Sequence, residues 1–148
     1  MYCNNTVGTE NLTVKNFVNN GDDVSESNAG SLIVKGVLTA GNPIKKLSLE
    51  NGATVKATGV DVPQVVANAF TATGTINIDA SNITVDQWRE LDEFPVMTVP
   101  VASNLTGVEW DVIKSFYRGV STRWVNDEGG ETKTLYVRKS PGFIVIVR

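Results

Sequence analysis

Between Leu12 and Ala80, apolar or small side chains recur on alternate positions for a few residues at a time, and Asn, Asp, Gly or Pro interrupts each run. Alternation puts one set of side chains on one face of an extended chain, so each run predicts a strand with an inward and an outward side. Leu12 and Val14 open the series, and Leu32, Val34, Gly36, Leu38 and Ala40 continue it. Leu47 and Leu49 follow; after the turn signal Asn51-Gly52 come Ala53, Val55 and Ala57. Ile76, Ile78 and Ala80 form the last member. The starting points Leu12, Leu32, Leu47 and Ile76 lie about 15 to 30 residues apart, which suits solenoid rungs joined by variable loops. Short strands with frequent turns also suit a β-sandwich, and periodicity leaves that alternative open.

Other segments depart from this pattern. Residues 62–70 are apolar and poor in charge, compatible with either a strand or a buried turn. Thr84 and Gln87 have capping-box spacing, Asp86 falls early and Pro95 stands as a stop, which predicts a short helix near 85–93. Val85, Trp88 and Leu91 would share one face, making Trp88 a core plug. Extended chain resumes with Val96, Met97, Val99 and Val101, then Trp110, Val112 and Ile113. Arg123–Val125 and Leu135–Arg138 flank a loop whose Gly129 and Gly130 suit a hairpin. Residues 143–147 are apolar on both faces, as expected of a strand covered on both sides; left as an open edge they would invite aggregation.

Composition narrows the class. A chain of 148 residues with 41% hydrophobic content needs only one core, so residues 1–148 are read as a single domain: rungs over about 1–109, closing rungs and a cap over about 110–148. A net charge of -3 offers no basic field for nucleic acid. Histidine is absent, which removes Ser-His-Asp and Cys-His nucleophile systems and His-ligated zinc. The single cysteine, Cys3, excludes an intrachain disulfide and is read as incidental. No stretch approaches the roughly 20 apolar residues of a membrane span, and the residues after Met1 do not read as a signal peptide. Any export signal is therefore expected outside this sequence. Four AsnXaaThr triplets, at Asn4, Asn11, Asn82 and Asn104, are what an Asn- and Thr-rich chain yields by chance.

Over roughly positions 31–148 the chain resembles the C-terminal ends of β-helical passenger domains of autotransporter-like bacterial surface proteins. The strand, Asn-Gly turn and second strand at 47–59, the segment 92–108, and the Trp-containing strand and Gly-Gly hairpin from Trp124 to Val137 carry the resemblance. It implies an all-β, right-handed parallel β-helix with one short helix and a C-terminal hairpin cap, part of a larger protein. It further implies export, display at the bacterial cell surface, and service as a stalk, adhesin or surface-layer component. Flanking rungs of the parent chain and a host or cell-surface glycan or protein are the partners it implies. The chain departs from the group in having no aromatic-girdled membrane barrel after the passenger-like part.

Candidate chemistry is sparse, and neither catalysis nor a cofactor is expected. Asp22, Asp23 and Glu26, beside Asn19, Asn20 and Gly21, form the densest oxygen cluster and are the calcium candidates, although a solvated turn explains them better. Asp61, Asp79 and Asp86 are the acids that would serve a carbohydrate-active enzyme if adjacent rungs aligned them. The pairs Asp92-Glu93 and Asp127-Glu128 read as solvated charges. Tyr117, Trp124 and Tyr136, near Arg118, Arg123 and Arg138, are the candidate carbohydrate contacts, against the plainer reading of an interior aromatic cap. The sequence thus favours a non-catalytic structural or adhesive module, with a carbohydrate-active β-helix fragment and a trimeric phage tail-spike-like segment as alternatives.

Overall fold

The computed structural model describes residues 12–14, 17–19, 32–34, 37–40, 44, 46–140 and 145–146, the strands before residue 41 and the pair 145–146 by backbone alone. It is an all-β protein, with one short helix among the described residues. The strands are β1 (Leu12–Val14), β2 (Phe17–Asn19), β3 (Leu32–Val34), β4 (Val37–Ala40), β5 (Leu47–Leu49), β6 (Thr54–Lys56), β7 (Val65–Val66), β8 (Phe70–Ala72) and β9 (Thr75–Asp79). Helix α1 (Val85–Glu90) precedes β10 (Glu93–Pro100), β11 (Glu109–Ile113), β12 (Tyr117–Arg118), β13 (Val120–Asn126), β14 (Thr132–Lys139) and β15 (Val145–Ile146).

Most pairs are parallel. One sheet runs β1-β3-β5-β8, aligning Leu12 with Leu32, Leu32 with Leu47, and Leu47 with Phe70. A second runs β11-β9-β6-β4-β2, aligning Val112 with Ile78, Ile78 with Val55, and Val55 with Leu38. In a third sheet β7 lies parallel to β10, matching Val65 with Met97, and Ile44 bridges to Ala67. Ile44, β5 and β6 are thus followed by β7, β8 and β9 in the same order of sheets. The segment 62–70 resolves as the strand β7 and the first residue of β8.

Alternation explains the core. Leu47, Leu49, Val55, Ile76 and Ile78 are fully buried while Ser48, Thr54, Lys56 and Asn77 face outward and remain partly exposed. Each such aliphatic contributes roughly 1.5–3 kcal/mol by leaving water. Ala53, Ala57 and Ala80, all buried, flank β6 and β9 and continue the inward face beyond the strand ends.

The Asn51-Gly52 turn locks onto its neighbour. The Thr75 backbone N–H donates to Asn51 Oδ1 at 2.9 Å, and the Gly52 N–H donates to the Thr75 carbonyl at 2.8 Å. Gly74, at φ +73°, has no side chain to obstruct this: a Cβ there would lie 2.6 Å from the Asn51 Cβ and closer still to its carboxamide oxygen.

Several sequence expectations need correction. Ile76 does not continue the series of Leu12, Leu32 and Leu47; Phe70 does, and Ile76 aligns with Trp110 in the second sheet. Both series alternate with the same period, so alternation alone cannot say which run stacks on which. The helix is also shorter than 85–93. Its capping box is present, with Gln87 N–H donating to Thr84 Oγ1 at 3.1 Å and Thr84 N–H to Gln87 Oε1 at 2.9 Å, yet Leu91 is already extended. Pro95 is no stop: it lies inside β10, where the register against β14 shifts between Pro95 and Met97 and a missing N–H is tolerated. Trp88 is buried as a plug, whereas Val85 and Leu91 are only partly covered. Val101 is exposed in a turn and does not extend the strand. No helix among the described residues is long and apolar enough to cross a membrane.

Candidate functional site

Beyond β10 the pairing changes. β14 lies antiparallel to β10, and β13 antiparallel to β14, giving a three-stranded platform whose strands are seven or eight residues long. Gly129 and Gly130, at φ +98° and +74°, turn the hairpin as the sequence predicted. Leu135 and Val137 of β14 are buried against the core, so Tyr136 and Arg138 belong to the opposite, outer face, where Thr134 shares their side of the strand but is itself covered. Cross-strand partners complete that face: Glu93 and Ser121 flank Arg138, and Pro95 and Arg123 flank Tyr136.

A shallow groove of about 360 Å³ opens at one end of this platform, lined by Asp92, Glu93, Arg123, Arg138 and Lys139. Glu93 is committed to Arg123, whose Nε reaches Oε2 and whose Nη2 reaches Oε1, both at 3.2 Å. Lys139 turns the other way: its Nζ donates to the Trp88 carbonyl at 2.7 Å and lies 5.5 Å from the Tyr117 ring centre. Arg138, half-exposed, has no side-chain bond of its own among the described residues in the interactions that define this groove. The groove therefore offers the Arg138 guanidinium; Tyr136, two residues along β14 on the same face and partly exposed, lies outside its lining. This suits hydrogen bonding to a polar or acidic ligand. It provides no pair of uncommitted carboxylates for hydrolysis.

The rest of the aromatic and basic concentration is dispersed. Tyr117 is buried, tilted against Trp88 at 5.4 Å, and Trp88 meets Phe94 edge-on at 5.2 Å. Trp124 packs edge-on against Trp110 at 5.5 Å, under Lys133, on the side of the hairpin opposite Tyr136. Tyr136 alone of the three candidate carbohydrate contacts stands on the outer face. Arg118 is exposed on β12, which pairs with β15. The indole nitrogens of Trp88 and Trp124 are buried without an acceptor among the described residues.

The acids are also separated. Asp61 is exposed in the loop before β7, and Asp86 is exposed on α1, 3.6 Å from Arg89. Asp79 is buried at the end of β9; Oδ1 accepts from Ser81 N–H at 2.9 Å and Oδ2 lies 3.6 Å from Lys114 Nζ. Burial pushes the Asp79 carboxyl up, but the Ser81 hydrogen bonds and then the Lys114 and Lys56 charges outweigh it, leaving its pKa below the usual carboxylate value. Lys114 has φ +58°. Among the described residues no group of three or more His, Cys, Asp or Glu side chains gathers to hold a metal. Cys3 and the calcium candidates Asp22, Asp23 and Glu26 lie outside the described residues.

Two pairs expected to be solvated include structural acids. Besides Glu93, Asp127 closes the hairpin: Thr132 Oγ1 donates to it at 2.6 Å and Thr134 Oγ1 at 2.9 Å. With the Thr134 hydrogen committed there, Thr98 is the donor in the 2.8 Å Thr98–Thr134 hydroxyl contact. Thr134 is buried, and this network stitches β10 to the hairpin. The only sequence signal for it was the position of Asp127 at the hairpin shoulder. The chain matches no family model, no curated protein and no solved structure.

Proposed function

We propose that this chain is the capping end of a right-handed parallel β-solenoid, displayed at the bacterial cell surface as a non-catalytic structural or adhesive module. The observation that carries the reading is the position of β10, parallel to β7 on one side and antiparallel to β14 on the other. Parallel strands recur in the same order through three sheets, as stacked rungs would require, whereas a sandwich of the immunoglobulin kind pairs its strands antiparallel. Each rung cannot bury its apolar side alone, and a last rung left open would recruit other chains; in the third sheet the hairpin occupies the β10 edge. The outer face of Tyr136 and Arg138 is the surface this reading assigns to contact with a glycan or protein.

The test is a blot of source cells with antibody to this domain, comparing intact cells treated with protease against lysate. A band much larger than 15.9 kDa that protease removes from intact cells supports the reading. A protected band near that mass in the soluble fraction, or sugar release from a polysaccharide panel by the purified chain, overturns it.

A further inference from the structure

We infer that Asn51 is a latent deamidation site, held off by the stacked turn while the chain is folded and released whenever that turn opens. The chemistry needs no partner but water. The Gly52 backbone nitrogen, having lost its proton, bonds to Asn51 Cγ; the bond from Cγ to the carboxamide nitrogen breaks and ammonia leaves. Water then opens the resulting ring at either carbonyl, giving aspartate or isoaspartate at position 51. Glycine in the following position removes the side-chain obstruction to that attack, so Asn51-Gly52 is intrinsically prone to it.

Three features of the fold oppose the reaction. The Gly52 N–H, which must be lost, is donated to the Thr75 carbonyl at 2.8 Å. The electrophilic carboxamide is fixed by the Thr75 N–H on its Oδ1 at 2.9 Å. The space that carboxamide occupies exists only because Gly74 lacks a side chain. Loss of the Gly52 proton ends the bond to the Thr75 carbonyl, and conversion of the carboxamide to a ring ends its present seat against the Thr75 N–H. Reaction therefore proceeds through the open turn, and its rate reports the frequency of opening.

The test incubates the purified full chain at mildly alkaline pH, with and without urea, and follows the tryptic segment Leu47–Lys56 by mass and by separation of the isoaspartyl form. A second Asn-Gly, at Asn20, falls in a different tryptic segment and does not interfere. Conversion in the folded chain is expected to be slower than in urea by at least about tenfold. Gly74→Ala is expected to bring the folded-state rate toward the urea rate while leaving the urea rate unchanged. Equal folded and unfolded rates in the native sequence would overturn the inference, whether or not the variant folds. So would a faster folded rate, which would make the Thr75 N–H a stabiliser of the developing oxyanion, and so would a folded Gly74→Ala chain with no change in rate.

Discussion

The parallel ladders and the antiparallel hairpin bury comparable side chains by different means. In the ladders, strands of two to five residues are individually too short to hold a shape, and order comes from aligned aliphatics such as Leu38, Val55, Ile78 and Val112 in successive strands. In the hairpin, β13 and β14 are long, and specific groups join them to the body: the Asp127–Thr132–Thr134–Thr98 network, the Glu93–Arg123 pair, and Lys139, which bonds the Trp88 carbonyl and lies over the Tyr117 ring of the aromatic cluster. Stability in the first region is a property of the stack and should spread along it. In the second it resides in named contacts and should fail locally.

Removing a large core group from each region tests this most severely. Trp88→Ala is expected to cost about 3–5 kcal/mol in urea denaturation. Hydrogen exchange should rise in α1, β10 and β12, whose residues hold the ring. Ile78→Ala is expected to cost about 2–5 kcal/mol, with exchange rising in β6 and β11 on either side. Confinement of the Ile78 effect to β9 would break the distinction. Next in size, Thr134→Val removes one donor from the Asp127 carboxylate, which keeps Thr132, and the acceptor of the Thr98 hydroxyl; it is expected to cost about 0.5–1.5 kcal/mol, visible as faster exchange across β13 and β14.

Acid supplies a smaller perturbation in the ladder region. Because the folded pKa of Asp79 lies below its unfolded value, its stabilisation is present above the usual aspartate pKa and is lost as pH falls through the depressed folded value. Asp79→Asn should therefore flatten the acid limb of a melting-temperature profile; an unchanged limb would remove Asp79 from the account. The smallest effect belongs to the exposed Glu93–Arg123 pair. Arg123→Gln is expected to cost about 0.2–1 kcal/mol, a loss that added salt diminishes in the native chain.

The same contrast governs what the sequence disclosed. Leu47, Leu49, Val55, Ile76 and Ile78 were legible as inward residues because alternation is local, and the Thr84–Gln87 cap and the Gly129-Gly130 hairpin were legible for the same reason. The partnership of Phe70 with Leu47 was not, since it joins strands far apart in the chain and neither residue records its neighbour. Pro95 misled because a proline in a strand depends on where the ladder shifts, a property of the partner strand. At the candidate face, the cluster of tyrosine, tryptophan and arginine was visible. Its division between core and surface followed from pairing, which sent Trp124 and Tyr136 to opposite sides.

The vacancy at Gly74 reaches further than the turn it accommodates. A shift of β8 and β9 by one residue against β5 and β6 would expose the core, but a shift by two would restore the inward and outward assignment of every side chain. Hydrophobic alternation is blind to that error. In either direction, however, the two-residue slip brings Ala72 or Ile76 to the place of Gly74, and a Cβ there collides with Asn51. A single hydrogen atom in place of a side chain thus acts as a proofreading device at the surface, rejecting a misalignment that the interior would accept.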